Sequence, residues 1–221
     1  MLKAILFDMD GVIVDSEPLH KKVQETILAR YHIEPTEEEL QSYVGLGVKP
    51  LLEKHIQKYR LPVSLEALHL FYLETLFRIF SNGELKPIPG AIELIQQAKA
   101  FGLKLAVASS SPLKLIQLIL HRLKILKYFD TVVSGDEVKK GKPDPEIFLE
   151  AASRVGCAPE ECIVIEDSTN GVLAAKKAKM KCIAFQSPNT KGQQFDLADR
   201  VIDDLCSLSV GQLKNWMNSV S

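Results

Sequence analysis

Cysteine is sparse and poorly placed for pairing. Cys157, Cys162, Cys182 and Cys206 are the only four in 221 residues, and no two of them stand in a C-x-x-C spacing. A zinc site or redox pair has no support from them, and they read as reduced, mostly buried thiols. A surplus of either charge is missing too. The 27 Lys and Arg offset 28 Asp and Glu, so no partnership with nucleic acid or a membrane surface is expected. Any anionic ligand must be caught by a local arrangement. Also absent is an apolar stretch of about 18 residues that could cross a bilayer. The opening run from Met1 to Phe7 is too short for a signal peptide and leads at once into Asp8 and Asp10. A soluble, monomeric, cytoplasmic protein is the expectation.

What is present is an alternation. Short apolar runs rich in β-branched residues recur at Leu2 to Phe7, Leu103 to Ala108, Thr131 to Val133, Cys162 to Ile165, Cys182 to Phe185 and Val201 to Ile202. Helical patterns lie between them at Ala91 to Ala100, Leu113 to Leu123, Pro145 to Val155 and Gly171 to Ala178. This predicts an α/β fold, a doubly wound, Rossmann-like parallel sheet with crossover helices. One segment breaks the alternation. From Ser16 onward Leu19, Val23 and Ile27 repeat every four residues, Thr36 and Glu39 have capping-box spacing, and Ser64 can cap a helix striped by Leu65, Leu68, Phe71 or Tyr72, Thr75 and Ile79. The chain therefore divides into an α/β core of residues 1–15 and 83–221 and a helical insert of residues 16–82.

The stretch LFDMDGVIVDS puts two acids where the first strand ends. Buried strands avoid carboxylates unless something pairs with them. In an open α/β sheet, ligands gather beyond the carboxyl ends of the strands, so polar residues at those ends converge. Three clusters occupy such places, Asp8-Met9-Asp10-Gly11, Ser109-Ser110-Ser111 and Glu166-Asp167-Ser168, and a fourth, Lys139 to Pro145, stands just before a helix. Hard oxygen donors of this kind suit Mg2+, which binds through one or two carboxylates, water and substrate phosphate. The serine cluster opens a helix whose free N–H groups favour an anion. Two like unit charges about 4 Å apart repel by about 4 kcal/mol at an effective dielectric of about 20. Asp8 cannot approach a phosphate unaided, but a magnesium ion and Lys142 would remove that barrier and make an aspartyl-phosphate intermediate reasonable. Of the two aspartates, one can stay ionised on the metal while the other carries a proton to the leaving oxygen. Two other readings fail on spacing. Gly135 to Lys142 has one residue too many for a nucleotide P-loop, and Gly11 and Val12 spoil a calcium loop begun by Asp8 and Asp10.

Together, DMDGVIVDS, VASSS, KKGKPDPEIF and VIEDSTNG resemble, in order and interval, the four motifs of the haloacid dehalogenase superfamily. The match is to its phosphatase and β-phosphoglucomutase-like branch with a small helical cap. The resemblance implies Asp8 as nucleophile, Asp10 as general acid and base, and Ser109, Ser110 and Lys142 as phosphate ligands. It implies Mg2+ held by Asp8, Asp10 through its carbonyl, and Asp167, with Glu166 in or beside the coordination shell. DSEPLH is similar to the corresponding stretch of β-phosphoglucomutases and makes His20 a candidate to contact Asp10 or substrate. Where those mutases carry Gly-x-x-Arg, this chain reads Gly45-Leu46-Gly47-Val48-Lys49, and a lysine cannot reproduce a bidentate guanidinium clamp. The expectation is a Mg2+-dependent phosphatase for a small phosphorylated metabolite, a sugar phosphate, with a hexose-phosphate mutase as the alternative. His32, His55, His69 and His121 read as surface or interfacial residues.

Overall fold

The structure is a computed structural model that describes residues 1–43, 47–187 and 192–218. In chain order it runs β1 (Ala4–Phe7), β2 (Val14–Asp15), α1 (Glu17–Ala29), α2 (Glu37–Gln41), α3 (Val48–Tyr59) and α4 (Leu65–Asn82). Next come β3 (Lys86–Pro87), α5 (Ala91–Ala100), β4 (Lys104–Ser109), α6 (Leu113–Arg122), β5 (Thr131–Ser134) and α7 (Glu146–Arg154). The chain ends with β6 (Cys162–Glu166), α8 (Thr169–Lys177), β7 (Lys181–Phe185), β8 (Arg200–Ile202) and α9 (Val210–Asn218). Met1–Asp15 and Leu85–Ser221 make one unit, and Ser16–Glu84 make another.

In the first unit six strands pair in the order β5-β4-β1-β6-β7-β8, every pair parallel. Successive strands step away from β1 on one side, then return to its other side at β6. That reversal is the switch point where an open sheet leaves a crevice. Ala4, Leu6, Ala106, Ala108 and Val164 pack with Phe148 and Ala151 of α7 and Val172 and Ala175 of α8. Their neighbours Ile5, Phe7, Leu105 and Val107 are equally buried, so both faces of the central strands are covered. Such strands read as continuous apolar runs rather than alternations. Two features have no counterpart in the sequence reading. The antiparallel pair β2–β3 has only two residues a side, too few to show a period, and α9 hides its apolar stripe of Val210, Leu213 and Met217 among polar neighbours.

Among its described residues, the second unit's elements are all helices, α1 to α4. Leu19, Val23 and Ile27 of α1 are buried as their spacing predicts. On α4 the buried stripe is Leu68, Tyr72, Thr75, Leu76 and Phe80, with Phe71 and Ile79 only half-buried. Ser64 caps α4 by accepting from the Ala67 amide at 3.2 Å. Thr36 caps α2 in the same way through the Glu39 amide, but the box is half-made. Glu39 turns its carboxylate to Lys58 Nζ at 2.6 Å and to the hydroxyls of Tyr43 and Tyr59 instead. His55 parts from the other three of the four histidines read as surface or interfacial. His32, His69 and His121 are exposed, but His55 is 1% exposed and lies edge-on to the Tyr43 ring at 4.9 Å. It falls on the inner side of α3 with Leu51 and Leu52, a position that a lone histidine in a mixed stretch does not announce.

Candidate active site

The first acid is placed by the sheet. Phe7 is level with Val107 of β4 and Ile165 of β6, and the Asp8 amide continues the ladder by donating to the Ile165 carbonyl at 3.0 Å. The chain then leaves the strand direction. The amides of Ile13 and Val14 both donate to the Met9 carbonyl, at 2.8 and 3.1 Å, and the Gly11 amide donates to Val14 at 2.9 Å. Gly11 has φ +79°, and a Cβ there would lie 1.9 Å from Asp167 Oδ2. Only glycine fits both the turn and the carboxylate lying against it.

Lys142 joins the clusters. Its ammonium donates to Asp8 Oδ1 at 2.5 Å, Glu166 Oε1 at 2.6 Å and the Ala108 carbonyl at 3.0 Å, which uses all three of its protons. The ammonium also lies 4.9 Å from the centre of the Phe148 ring. Glu166 is wholly buried and satisfied. Oε1 takes Lys142, while Oε2 takes the amides of Asp167 and Ser168 and the Ser168 hydroxyl, each at 2.9 Å. The Ser168 hydroxyl in turn accepts from the Gly171 amide at 3.0 Å and so caps α8. A Cβ on Gly171 would come within 1.8 Å of the Glu166 carboxyl, so the first turn of α8 carries a glycine pressed on that acid.

Of the residues singled out in the sequence, Asp8, Lys142, Glu166 and Asp167 stand together. Asp10 is close enough for its charge to act on both Asp8 and Asp167. Ser109 is 1% exposed and its hydroxyl accepts from the Ser111 amide at 3.1 Å, whereas Ser110 is exposed. His20 belongs to the helical unit, half-buried with its ring 4.9 Å from that of Phe80. Gly45 and Leu46 lie outside the described residues, while Gly47 is the N-cap of α3 and Lys49 is exposed in its first turn. Ser111, placed by the sequence in its serine cluster but given no role of its own, donates its hydroxyl to Asp10 Oδ2 at 2.8 Å, and Ser134, which sequence reasoning missed, donates its hydroxyl to the Ser111 carbonyl at 2.7 Å. The available signal for Ser134 was its place at the carboxyl end of β5, level with Ser109.

The electrostatics of the cluster are unbalanced. Burial pushes the Asp8 carboxyl up to about 8; Lys142 opposes this, and Glu166 and Asp10 add to it. Asp167 is raised by burial and by Glu166 and Asp8. For Lys142, burial works against the charge, but Asp8 and Glu166 outweigh it and raise the pKa. Among the described residues Asp8, Glu166 and Asp167 thus share the Lys142 ammonium, an excess of hard oxygen donors that fits a divalent cation. Among the described residues no three His, Cys, Asp or Glu side chains form a ready-made metal cage. An ion that keeps several waters and takes one or two carboxylates needs none.

The sequence relationships agree with this geometry. The family model described as haloacid dehalogenase-like hydrolase matches residues 5–185. A phosphorylated carbohydrates phosphatase of Thermotoga maritima is 38% identical over 182 residues, covering 82% of this chain and 84% of the relative. The crystal structure of CbbY from Rhodobacter sphaeroides in complex with phosphate superposes with a TM-score of 0.87 at 28% identity, over 97% of this chain and all of that one. A candidate β-phosphoglucomutase of Thermotoga maritima gives a TM-score of 0.78 at 32% identity, with all of both chains covered. The chain belongs to the haloacid dehalogenase-like hydrolases and is an enzyme of their phosphatase and β-phosphoglucomutase-like branch.

Proposed function

We propose that this enzyme is a Mg2+-dependent phosphatase of small phosphorylated metabolites, sugar phosphates in particular, working through a phosphoaspartate. The observation that carries the reading is the set of buried Asp8 and Glu166 with half-buried Asp167 around Lys142 at the switch point of the sheet. Asp8 is the nucleophile, oriented by Lys142, which also supplies positive charge for the transferring phosphoryl group. Ser109 binds phosphate oxygens, and exposed Ser110 can contribute its amide there; the Ser111 amide is already engaged by Ser109 Oγ. Asp10, held by Ser111, donates a proton to the leaving oxygen and later takes one from the water that hydrolyses the phosphoaspartate. Asp8, the Asp10 carbonyl and Asp167 would hold Mg2+, which when bound neutralises charge between carboxylate and phosphate. Glu166 stands beside that shell, since both its oxygens are engaged by the chain's own donors. His20, and a cap role for the helical unit, enter through the resemblance alone.

The substrate class rests on the named phosphatase of phosphorylated carbohydrates. Release of inorganic phosphate from a panel of sugar phosphates, fast with Mg2+ and abolished by chelation, is the expected result. Turnover unaffected by a chelator and by Asp8→Asn would refute the reading. A hexose-phosphate mutase is the second reading, favoured by full-length similarity to the candidate β-phosphoglucomutase. Conversion of glucose 1-phosphate to glucose 6-phosphate with little phosphate released would decide for it. A cytoplasmic monomer with no nucleic-acid or membrane partner completes the proposal; among the described residues no helix is long and apolar enough to cross a membrane.

A further inference from the structure

Ser134 is fully buried at the end of β5, yet no step of the proposed chemistry uses it. Its hydroxyl donates to the Ser111 carbonyl at 2.7 Å and accepts from the Asp136 amide at 3.1 Å. The Ser134 amide donates to Glu137 Oε2 at 2.9 Å, and Glu137 Oε1 is held by Arg154 at 3.0 Å. Arg154 is itself tied to the strand through the Val132 carbonyl at 3.1 Å. Ser134 is thus anchored on its own side before it reaches across to the next strand end.

Ser111 is pinned at three atoms. Its carbonyl takes the Ser134 hydroxyl, its amide donates to Ser109 Oγ at 3.1 Å, and its hydroxyl donates to Asp10 Oδ2 at 2.8 Å. Ser111 precedes Pro112, the N-cap of α6, and no side-chain hydrogen bond caps that helix. The loop's direction is set by these bonds rather than by a cap. A misplacement of about 1 Å at an acid–base group can lower the rate a hundredfold.

We infer that Ser134 is a positioning residue for proton transfer, acting through Ser111 on the carboxylate of Asp10. The inference rests on the acid–base reading of Asp10. Its signature is leaving-group dependence: an alkoxide leaving a sugar phosphate needs a proton from Asp10, while p-nitrophenolate leaves p-nitrophenyl phosphate without one. In the first step the Asp8 carboxylate oxygen bonds to phosphorus, the bond from phosphorus to the leaving oxygen breaks, and the Asp10 proton passes to that oxygen.

The test measures kcat/KM for p-nitrophenyl phosphate and for the sugar phosphate that the unmodified enzyme turns over fastest. General acid catalysis contributes about 10²–10⁴, so Ser134→Ala should lower the sugar phosphate value by about 10- to 100-fold and the aryl value by less than about threefold. Ser134→Thr, which keeps the hydroxyl, should restore most of the loss and shows that folding is not the cause. Ser111→Ala should share the selectivity, and adding Ser134→Ala to it should change nothing further, since the two act in one chain. Equal losses on both substrates, no loss, no rescue by threonine, or additive effects with Ser111→Ala would overturn the inference. Asp10→Asn separates the two levels. If it spares the sugar phosphate, the acid–base reading fails and takes this inference with it. If it shows the selective loss while Ser134→Ala does not, only the role of Ser134 falls.

Discussion

Asp8 in the α/β unit and Glu39 in the helical unit each sit against a lysine, yet their acidities move in opposite directions. Burial pushes Glu39 up, but Lys58 and the hydroxyls of Tyr43 and Tyr59 outweigh it and hold the carboxyl at about 2. Burial pushes Asp8 up to about 8, and one ammonium shared with Glu166 does not reverse it. Around Glu39 several donors converge on one acid; around Lys142 several acids converge on one donor. The first arrangement is complete and stabilises the folded chain. The second is held in place by the sheet despite its own repulsion, as expected where binding rather than stability shaped the cluster.

Asp8→Asn should sharpen this contrast most. Without a nucleophile, phosphate release should fall by about 10⁴-fold or more, the scale seen when a nucleophile is removed. In the presence of chelator, the variant's melting temperature at pH 8 should rise, because a buried charge facing Glu166 and Asp10 has gone. A lower melting temperature would mean that Asp8 is paired for stability, as Glu39 is. Lys142→Met comes next. It strips from Asp8 and Glu166 the ammonium they share while keeping the side chain's bulk over Phe148. Removing one partner of a buried pair costs about 3–5 kcal/mol, so denaturant unfolding should show a loss of that order along with lost activity.

The sequence made the α/β unit legible because parallel buried strands print their apolar runs directly, and because strand ends are where polar residues converge. Asp8 and Glu166, 158 positions apart, could be grouped on that ground, and Lys142 joined them from a loop that stands just before a helix. What the sequence could not carry was the partition within the group. The resemblance leaves Glu166 in or beside the metal shell, while its oxygens face Lys142 and the start of α8, a matter of rotamer and of the glycine at 171. Ser134 was hidden for a related reason: its partner Ser111 is 23 residues away and the bond is to a backbone carbonyl, which no side-chain pattern records. The capping signal at Thr36 was half right because Tyr43, Lys58 and Tyr59 compete for Glu39, a contest settled by packing.

Two substitutions in the helical unit probe the other side of the comparison, with smaller effects. Glu39→Gln keeps the shape and one acceptor but removes the charge that Lys58, Tyr43 and Tyr59 address. It should cost on the order of 2 kcal/mol at pH 7, the scale of hydrogen bonds to a charged group. The unfolded-state pKa is about 4.3 and the folded one about 2, so Glu39 contributes its stability above about pH 4, and the contribution is lost as pH falls toward 2. The difference between parent and variant should close over that window in acid titrations of the unfolding free energy.

His55→Phe is the smallest change and carries the opposite sign. Among the described residues both ring nitrogens of His55 are buried without a hydrogen-bond partner, an unsatisfied state that costs about 1–3 kcal/mol for a buried polar group. A phenyl ring keeps the edge-on contact with Tyr43 and removes both nitrogens, so the variant should be more stable by about 1 kcal/mol at pH 7, less any cost of the ring's extra volume. Burial holds the His55 pKa down at about 4, below its unfolded value of about 6.5; Glu39 works against this, and Lys58 and Lys54 add to it. The unfolded chain therefore binds a proton that the folded chain refuses, and the parent should lose stability as pH falls from about 6.5 to 4. His55→Phe should flatten the melting curve in that window and leave the one below pH 4 to Glu39. A variant less stable at pH 7, with the parent's slope intact, would show that His55 has a partner when the helical unit is in solution.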